Sequence, residues 1–112
     1  MNLGSPKSPT PKDVKPYLEE FLMDERVIDV PKLFRSFLVK GIILKTRPKK
    51  SAKAYKKIWW DEGSPLIVLS ERLHEKVAKK TSVPISLAMR YGQPSIASGL
   101  EELHQKGVDE VL

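Results

Sequence analysis

Three short turns carry side chains suited to ligand chemistry: Gly4-Ser5-Pro6, Gly63-Ser64-Pro65 and Arg90-Tyr91-Gly92-Gln93-Pro94. Open parallel sheets bind ligands beyond the carboxyl ends of their strands, which is where such turns lie. Arg90 follows an alternating apolar stretch and precedes a helix start. A guanidinium there suits a carboxylate or a phosphate; pairing with a nearby acid is the competing use. Arg47 and Tyr55 fall on one side of another helix start and suit an anionic small molecule.

The charge around Arg47 is concentrated. Residues 45–57 hold Lys45, Arg47, Lys49, Lys50, Lys53, Lys56 and Lys57, seven cations with no acid. The other 99 residues carry 13 basic and 14 acidic side chains, so the net charge of +6 is local. A solvated helix face, an anionic small molecule and nucleic acid are the three readings of such a stripe. Tyr55, Trp59 and Trp60 interleave with the lysines as in single-strand binders. No nucleic-acid module accompanies them, so nucleic acid is not expected. An apolar stretch at 31–44 directly before the stripe also suits a lip resting on an anionic membrane.

His74 and His104 offer less. Glu101, Glu102 and His104 are spaced to hold a metal, but solvated helix pairs of this kind are common. No Walker loop, GxGxxG, GxSxG or HExxH is present. Without cysteine there is no disulfide, thiolate zinc site or thiol nucleophile.

The elements that must position these residues are mostly helical. Thr10, Pro11 and Asp13 read as an N-cap, a first-turn proline and a capping-box acid. Val14, Tyr17, Leu18, Phe21 and Leu22 then recur at helical spacing. Pro31 restarts the chain, and Leu33, Phe34, Phe37, Leu38 and Ile42 form a second apolar stripe. Pro48 is expected to open a third helix. A fourth follows Pro65, with Leu66, Leu69, Leu73 and Val77 on one face. The period changes at 85–89, where Ile85, Leu87 and Met89 alternate with smaller or polar residues as in a strand. Pro94 is expected to open a last helix with Ile96, Leu100 and Leu103 inside, ended by Gly107. Val108, Val111 and Leu112 read as the start of another strand, and Asn2-Leu3-Gly4 as the end of one.

These 112 residues, 12.7 kDa in mass, suffice for one small domain. Mean hydropathy of −0.34 fits a soluble chain, and no apolar run reaches membrane-spanning length. The N-terminus lacks an apolar signal region, so a cytoplasmic setting, with peripheral membrane contact, is expected. A strand–helix–strand unit implies a parallel sheet with right-handed crossovers. One clear strand and two stubs give the helices little to cover. A fragment of a larger α/β protein, truncated at both ends, is therefore expected.

The ordered set Asn2-Leu3-Gly4-Ser5-Pro6, Pro9-Thr10-Pro11, Val14 through Asp24, Arg47-Pro48-Lys49, Tyr55-Lys56-Lys57-Ile58-Trp59, Asp61-Glu62-Gly63-Ser64-Pro65-Leu66 and Met89-Arg90-Tyr91-Gly92-Gln93-Pro94-Ser95-Ile96 resembles ferrochelatase, the bacterial members above all. The resemblance covers essentially the whole chain. It implies most of the first of two Rossmann-like halves: an α/β, three-layer fold with a parallel sheet. It implies insertion of ferrous iron into protoporphyrin IX to form protohaem, with porphyrin and iron as substrates. No cofactor and no resident metal are implied within these residues. Leu3, Phe21, Leu22, Arg47, Tyr55, Ser64, Arg90 and Tyr91 would line the porphyrin cleft. A flat apolar ring with two propionates calls for such a slot edged by Arg, Tyr and Ser.

Two departures limit what carries over. By resemblance, the family's proton-abstracting histidine and its acidic partner are expected beyond Leu112, and neither His74 nor His104 matches that motif, so no catalytic residue is assigned here. Lys7 stands where many bacterial members carry an acid. The rival reading is a non-catalytic protein that holds an anionic tetrapyrrole, a membrane or nucleic acid through the 45–57 helix. A third is a chain without a stable fold.

Overall fold

Thr10 opens the first helix. In the computed structural model, which describes residues Met1–Leu112, its hydroxyl accepts from the Asp13 N–H, and Pro11 takes the first position of α1 (Pro11–Met23). Proline costs little there, because the first N–H groups of a helix have no intrahelical partner. The Asp13 carboxylate turns to the Ser8 hydroxyl at 2.6 Å rather than back to the cap residue. Helix α1 then buries Val14, Tyr17, Leu18 and Leu22.

A continuous helical stretch follows, made of α2 (Lys32–Ser36), a π-helical segment (Phe37–Ile43) and α3 (Leu44–Ile58). Pro48 does not open α3. It lies inside the helix, where its missing N–H removes one interior hydrogen bond. The widened turn directly before it closes with the Leu44 N–H on the Val39 carbonyl, five residues back. The expected apolar stripe is also the wrong face. Leu33 is 88% exposed and Phe37 67%, with Phe34 and Ile42 more than half exposed. Arg35, Val39 and Leu44 go inward instead. Residues 31–44 are apolar on both sides, and packing decides between them.

Contacts divide the chain into two units. The first, Pro6–Ser64, holds one core: Val14, Leu18 and Leu22 of α1 pack with Val39, Leu44 and Ala52. The second joins Met1–Ser5 to Pro65–Leu112 and carries α4 (Pro65–Ala78) and α5 (Ile96–Gln105).

In the second unit the expected helical faces again point outward. Leu69, Leu73 and Val77 of α4 are exposed, while Val68 and Ser70 are buried. In α5, Ile96 and Leu100 are exposed, and Gly99 and Leu103 are buried. A Cβ on Gly99 would meet Ala88 at 3.1 Å, so the packing face of α5 is the one that lacks a side chain. Pro94 does not open α5. It follows a cis Gln93–Pro94 bond, and Ser95 is the cap, its hydroxyl accepting from the Ser98 N–H. Gly107 ends α5 as its sequence implies, at φ +75°. Its N–H bonds to the His104 carbonyl and the Val108 N–H to the Leu103 carbonyl, the paired closure of a Schellman motif.

Strand structure is sparse. Residues 85–89 form no extended ladder; Met89 alone makes parallel bridges, to Asn2 and to Ser95. Residues 108–112 form no strand. A strand needs a neighbour to pair with, and alternation alone cannot supply one. No helix is long and apolar enough to cross a membrane.

Candidate functional site

The second unit brings Leu3, Arg90 and Tyr91 together. Asn2 N–H donates to the Ala88 carbonyl at 3.0 Å, Arg90 N–H to the Asn2 carbonyl at 2.8 Å and Tyr91 N–H to the Leu3 carbonyl at 3.0 Å. That slanted pattern is parallel pairing. It aligns the 2–4 segment with 88–91, so the two turns emerge side by side. Gly4 makes the approach feasible: at φ +107°, its missing Cβ would lie 1.9 Å from the Tyr91 carbonyl oxygen. Asn2 also donates from Nδ2 to Ser70 Oγ at 3.0 Å, which ties the segment to α4. The Ser70 hydroxyl in turn donates a hydrogen bond to the Leu66 carbonyl at 2.7 Å.

Arg90 turns toward its neighbour Tyr91. Its Nε donates to the Tyr91 hydroxyl at 3.0 Å, and its guanidinium lies 5.4 Å from the Tyr91 ring centre. Tyr91 is buried, whereas Leu3 is half exposed. The Ser5 hydroxyl is buried without a hydrogen-bond partner.

The first unit assembles a run of aromatic rings. Phe21 stacks on Tyr17 with centroids 6.4 Å apart and planes 7° from parallel. Tyr17 meets Tyr55 edge to face at 6.4 Å, and Tyr55 meets Trp59 edge to face at 6.2 Å. Edge-to-face and offset arrangements suit the ring quadrupoles. Burial pushes the Tyr55 phenol pKa up, partly offset by its hydrogen bond with Tyr17. Leu22 lies in the core of this unit. Arg47 is exposed and lines a groove on α3. Ser64 is buried, directly after Gly63 at φ +132°. Gly63 and Trp60 exchange backbone hydrogen bonds of 3.0 and 3.1 Å and so close the turn.

Tyr17 is the link that the sequence reading did not assign to the cleft. The signal was present, since Tyr17 and Phe21 are one helical turn apart. Its meeting with Tyr55 joins residues too far apart in sequence to be inferred from spacing. The acidic–histidine trio resolves into helix-surface pairs. Glu102 accepts from Ser86 at 2.6 Å and from Lys106, which together hold its carboxyl below the usual range. Glu101 accepts from Gln105 at 2.9 Å. No group of three or more His, Asp or Glu side chains is close enough to hold a metal ion.

A family model described as Ferrochelatase matches residues 1–112. The chain belongs to the ferrochelatase family. It is 54% identical over 112 residues to the ferrochelatase of Pseudomonas fluorescens strain SBW25, covering 99% of this chain and 33% of that protein. It is 48% identical over 117 residues to the ferrochelatase of Thioalkalivibrio sulfidiphilus, covering 99% and 32%. With ferrochelatase 2 of Shewanella oneidensis the identity is 45% over 117 residues, covering 100% and 36%. The chain therefore spans about a third of the length of the curated relatives it matches. No solved structure matches it significantly. The rival reading of a non-catalytic binding protein gains nothing from these matches.

Proposed function

We propose that this chain forms part of a ferrochelatase that inserts ferrous iron into protoporphyrin IX to make protohaem. The observation that carries the reading is the match of the family model to every residue of the chain. Leu3, Phe21, Leu22, Arg47, Tyr55, Ser64, Arg90 and Tyr91 are the residues we assign to the porphyrin cleft. The chemistry they offer fits the substrate. Phe21, Tyr55 and Trp59, braced by the buried Tyr17, offer half-buried aromatic surface to a flat macrocycle. Arg47 and Arg90 give cations for its propionates. Iron is the substrate, and these residues carry no cofactor or resident metal of their own in this proposal.

The parallel bridge between Asn2 and Met89 supports a Rossmann-like, three-layer arrangement with a parallel sheet. The exposed Leu33, Phe34, Phe37 and Ile42, directly before the basic 45–57 stripe, support peripheral contact of a cytoplasmic protein with an anionic membrane surface.

Segment replacement tests the proposal. This chain would take the place of the matching third of the Pseudomonas fluorescens SBW25 ferrochelatase, in cells lacking their own enzyme. Growth without added haem is expected. Failure to grow, with the hybrid present at the normal level and soluble, would overturn the reading.

A further inference from the structure

Three lysines each follow a core residue directly. Lys15 comes after Val14, Lys40 after Val39 and Lys45 after Leu44, and those three apolar side chains share the core of the first unit. The lysines stand exposed around that core, one each on α1, the π-helical segment and α3. With Glu19 and the buried Leu44 they line a hollow of about 500 Å³. Three cations therefore share one carboxylate. The π turn helps to bring two of them together. Lys40 and Lys45 are five residues apart, which in an α-helix would leave them about 140° apart around the axis. A π turn closes over five residues instead, and here the Leu44 N–H bonds to the Val39 carbonyl across it. Lys40 and Lys45, the next residue at each end of that bond, are turned toward one side. Arg47 lies two residues past Lys45, about 200° further round α3, and lines a different groove.

Charge in the hollow is unbalanced. Lys40 pairs with Glu19 at 3.0 Å. Lys15 and Lys45 have no acidic partner. Lys15 lies four residues before Glu19 on α1, the less favourable order for a helical pair. A bound anion would satisfy the two spare ammonium groups. The arrangement favours phosphate over carboxylate, because donors arriving from three separate elements need three acceptor oxygens, and a carboxylate has two. Lysine ammonium groups bind phosphate as point charges and need no bidentate geometry.

We propose that Lys15, Lys40 and Lys45 form a phosphate-binding site, with Glu19 as the resident counter-ion that a phosphate displaces from Lys40. The ligand class is an anionic phosphate group, free in solution or carried by a lipid headgroup. None of the three lysines is among the residues assigned to the porphyrin cleft, so the inference stands apart from the porphyrin reading. The site holds its ligand and performs no chemistry on it.

The test is calorimetric titration of the 112-residue chain with pyrophosphate at low ionic strength, where screening is weak. The double variant Lys15→Gln with Lys45→Gln is expected to weaken binding about five-fold or more. Glu19→Gln carries the opposite sign: it frees Lys40 and should tighten binding about two-fold or more. Lys79→Gln with Lys80→Gln removes the same charge directly after α4, in the second unit, and should leave binding unchanged. Co-sedimentation with phosphatidylglycerol vesicles forms the other arm. A loss in the Lys15 and Lys45 variant confined to pyrophosphate supports the site with a soluble phosphate as its ligand, and one confined to vesicles supports it with a lipid headgroup. Equal losses in the two double variants would reduce the effect to net charge and overturn the site. Weaker binding in Glu19→Gln would overturn the counter-ion role. Wild-type affinity for both probes in the Lys15 and Lys45 variant, with far-UV circular dichroism unchanged, would overturn the site, as would binding of neither probe by the wild-type chain.

Discussion

The Gly4 Cα packs against the backbone of Tyr91 so closely that an added Cβ would stand 1.9 Å from the carbonyl oxygen and 2.9 Å from the carbonyl carbon. Both neighbours are backbone, so neither can swing away. Gly4 also sits at φ +107°, a conformation that L side chains rarely adopt. Gly107 has a positive φ too, +75°, but nothing lies within 4 Å of its missing Cβ. Gly4→Ala is therefore expected to cost about 3 kcal/mol or more, combining strain with forced displacement of the 88–91 segment. Gly107→Ala should cost only about 1 kcal/mol. Urea midpoints of the two variants check this, and similar values would refute the close approach.

Arg35 offers a gain in stability instead of a loss. Its side chain is only 6% exposed. Nη1 donates to the Ile28 carbonyl at 3.0 Å, while Nε is buried without a partner. A buried polar group left unsatisfied costs about 1–3 kcal/mol, more when it is charged. Arg35→Met keeps much of the length, removes the buried charge and forfeits one charge-assisted hydrogen bond worth about 1.5–3 kcal/mol, while the Ile28 carbonyl keeps the Val30 N–H. Because a buried cation with one N–H unpaired costs more than that bond returns, the variant is expected to show a higher urea midpoint. A lower midpoint would mean that the Ile28 contact outweighs the buried cation.

What could be read in advance follows the reach of the interaction. Thr10 and Gly107 bound their helices as the sequence implies, because a cap is decided within about four residues. Pro48 misled for the opposite reason. Its local preference for a helix start yields to a continuous helix that begins with the π turn. The faces of α4 and α5 also resisted reading. Leu69, Leu73 and Val77 make a regular stripe, yet Val68 and Ser70 are the residues that pack inward. Periodicity identifies an apolar face but not the neighbour that will cover it. At the site, Arg90 and Tyr91 were legible as a turn after an apolar stretch. The pairing that sets Leu3 beside them depends on hydrogen bonds between segments more than 80 residues apart, as Tyr91 to Leu3 shows.

Tyr55 makes the alkaline limb of stability testable. Burial raises its folded-state pKa above the ordinary value of 10.0. The unfolded chain then loses the phenol proton first as pH rises, so it binds fewer protons than the folded chain above about pH 10. Stability contributed by this group must fall in that range and stay level below it. Tyr55→Phe has no phenol to ionise and should lose less stability between pH 10 and 11 than wild type. Thermal midpoints across that interval check the sign. A steeper loss in Tyr55→Phe would rule out a raised Tyr55 pKa.

The two histidines bear on whether these residues can carry out metal insertion unaided. By resemblance, the family's base is a histidine that neither His74 nor His104 matches. His74 Nε2 faces the Ile85 carbonyl at 3.5 Å. His104 lies in the last turn of α5, where its carbonyl takes part in the Gly107 closure. Porphyrin metalation requires removal of two pyrrole protons, and a positioned base typically contributes about 10²–10⁴-fold to such a transfer. The 112-residue chain alone is therefore expected to leave the rate of zinc or ferrous iron uptake by protoporphyrin at the no-protein level. The shift of the porphyrin visible bands under anaerobic conditions reads the rate directly. A rate above that background, lost on His74→Ala or His104→Ala, would give one of these histidines the role that the resemblance withholds.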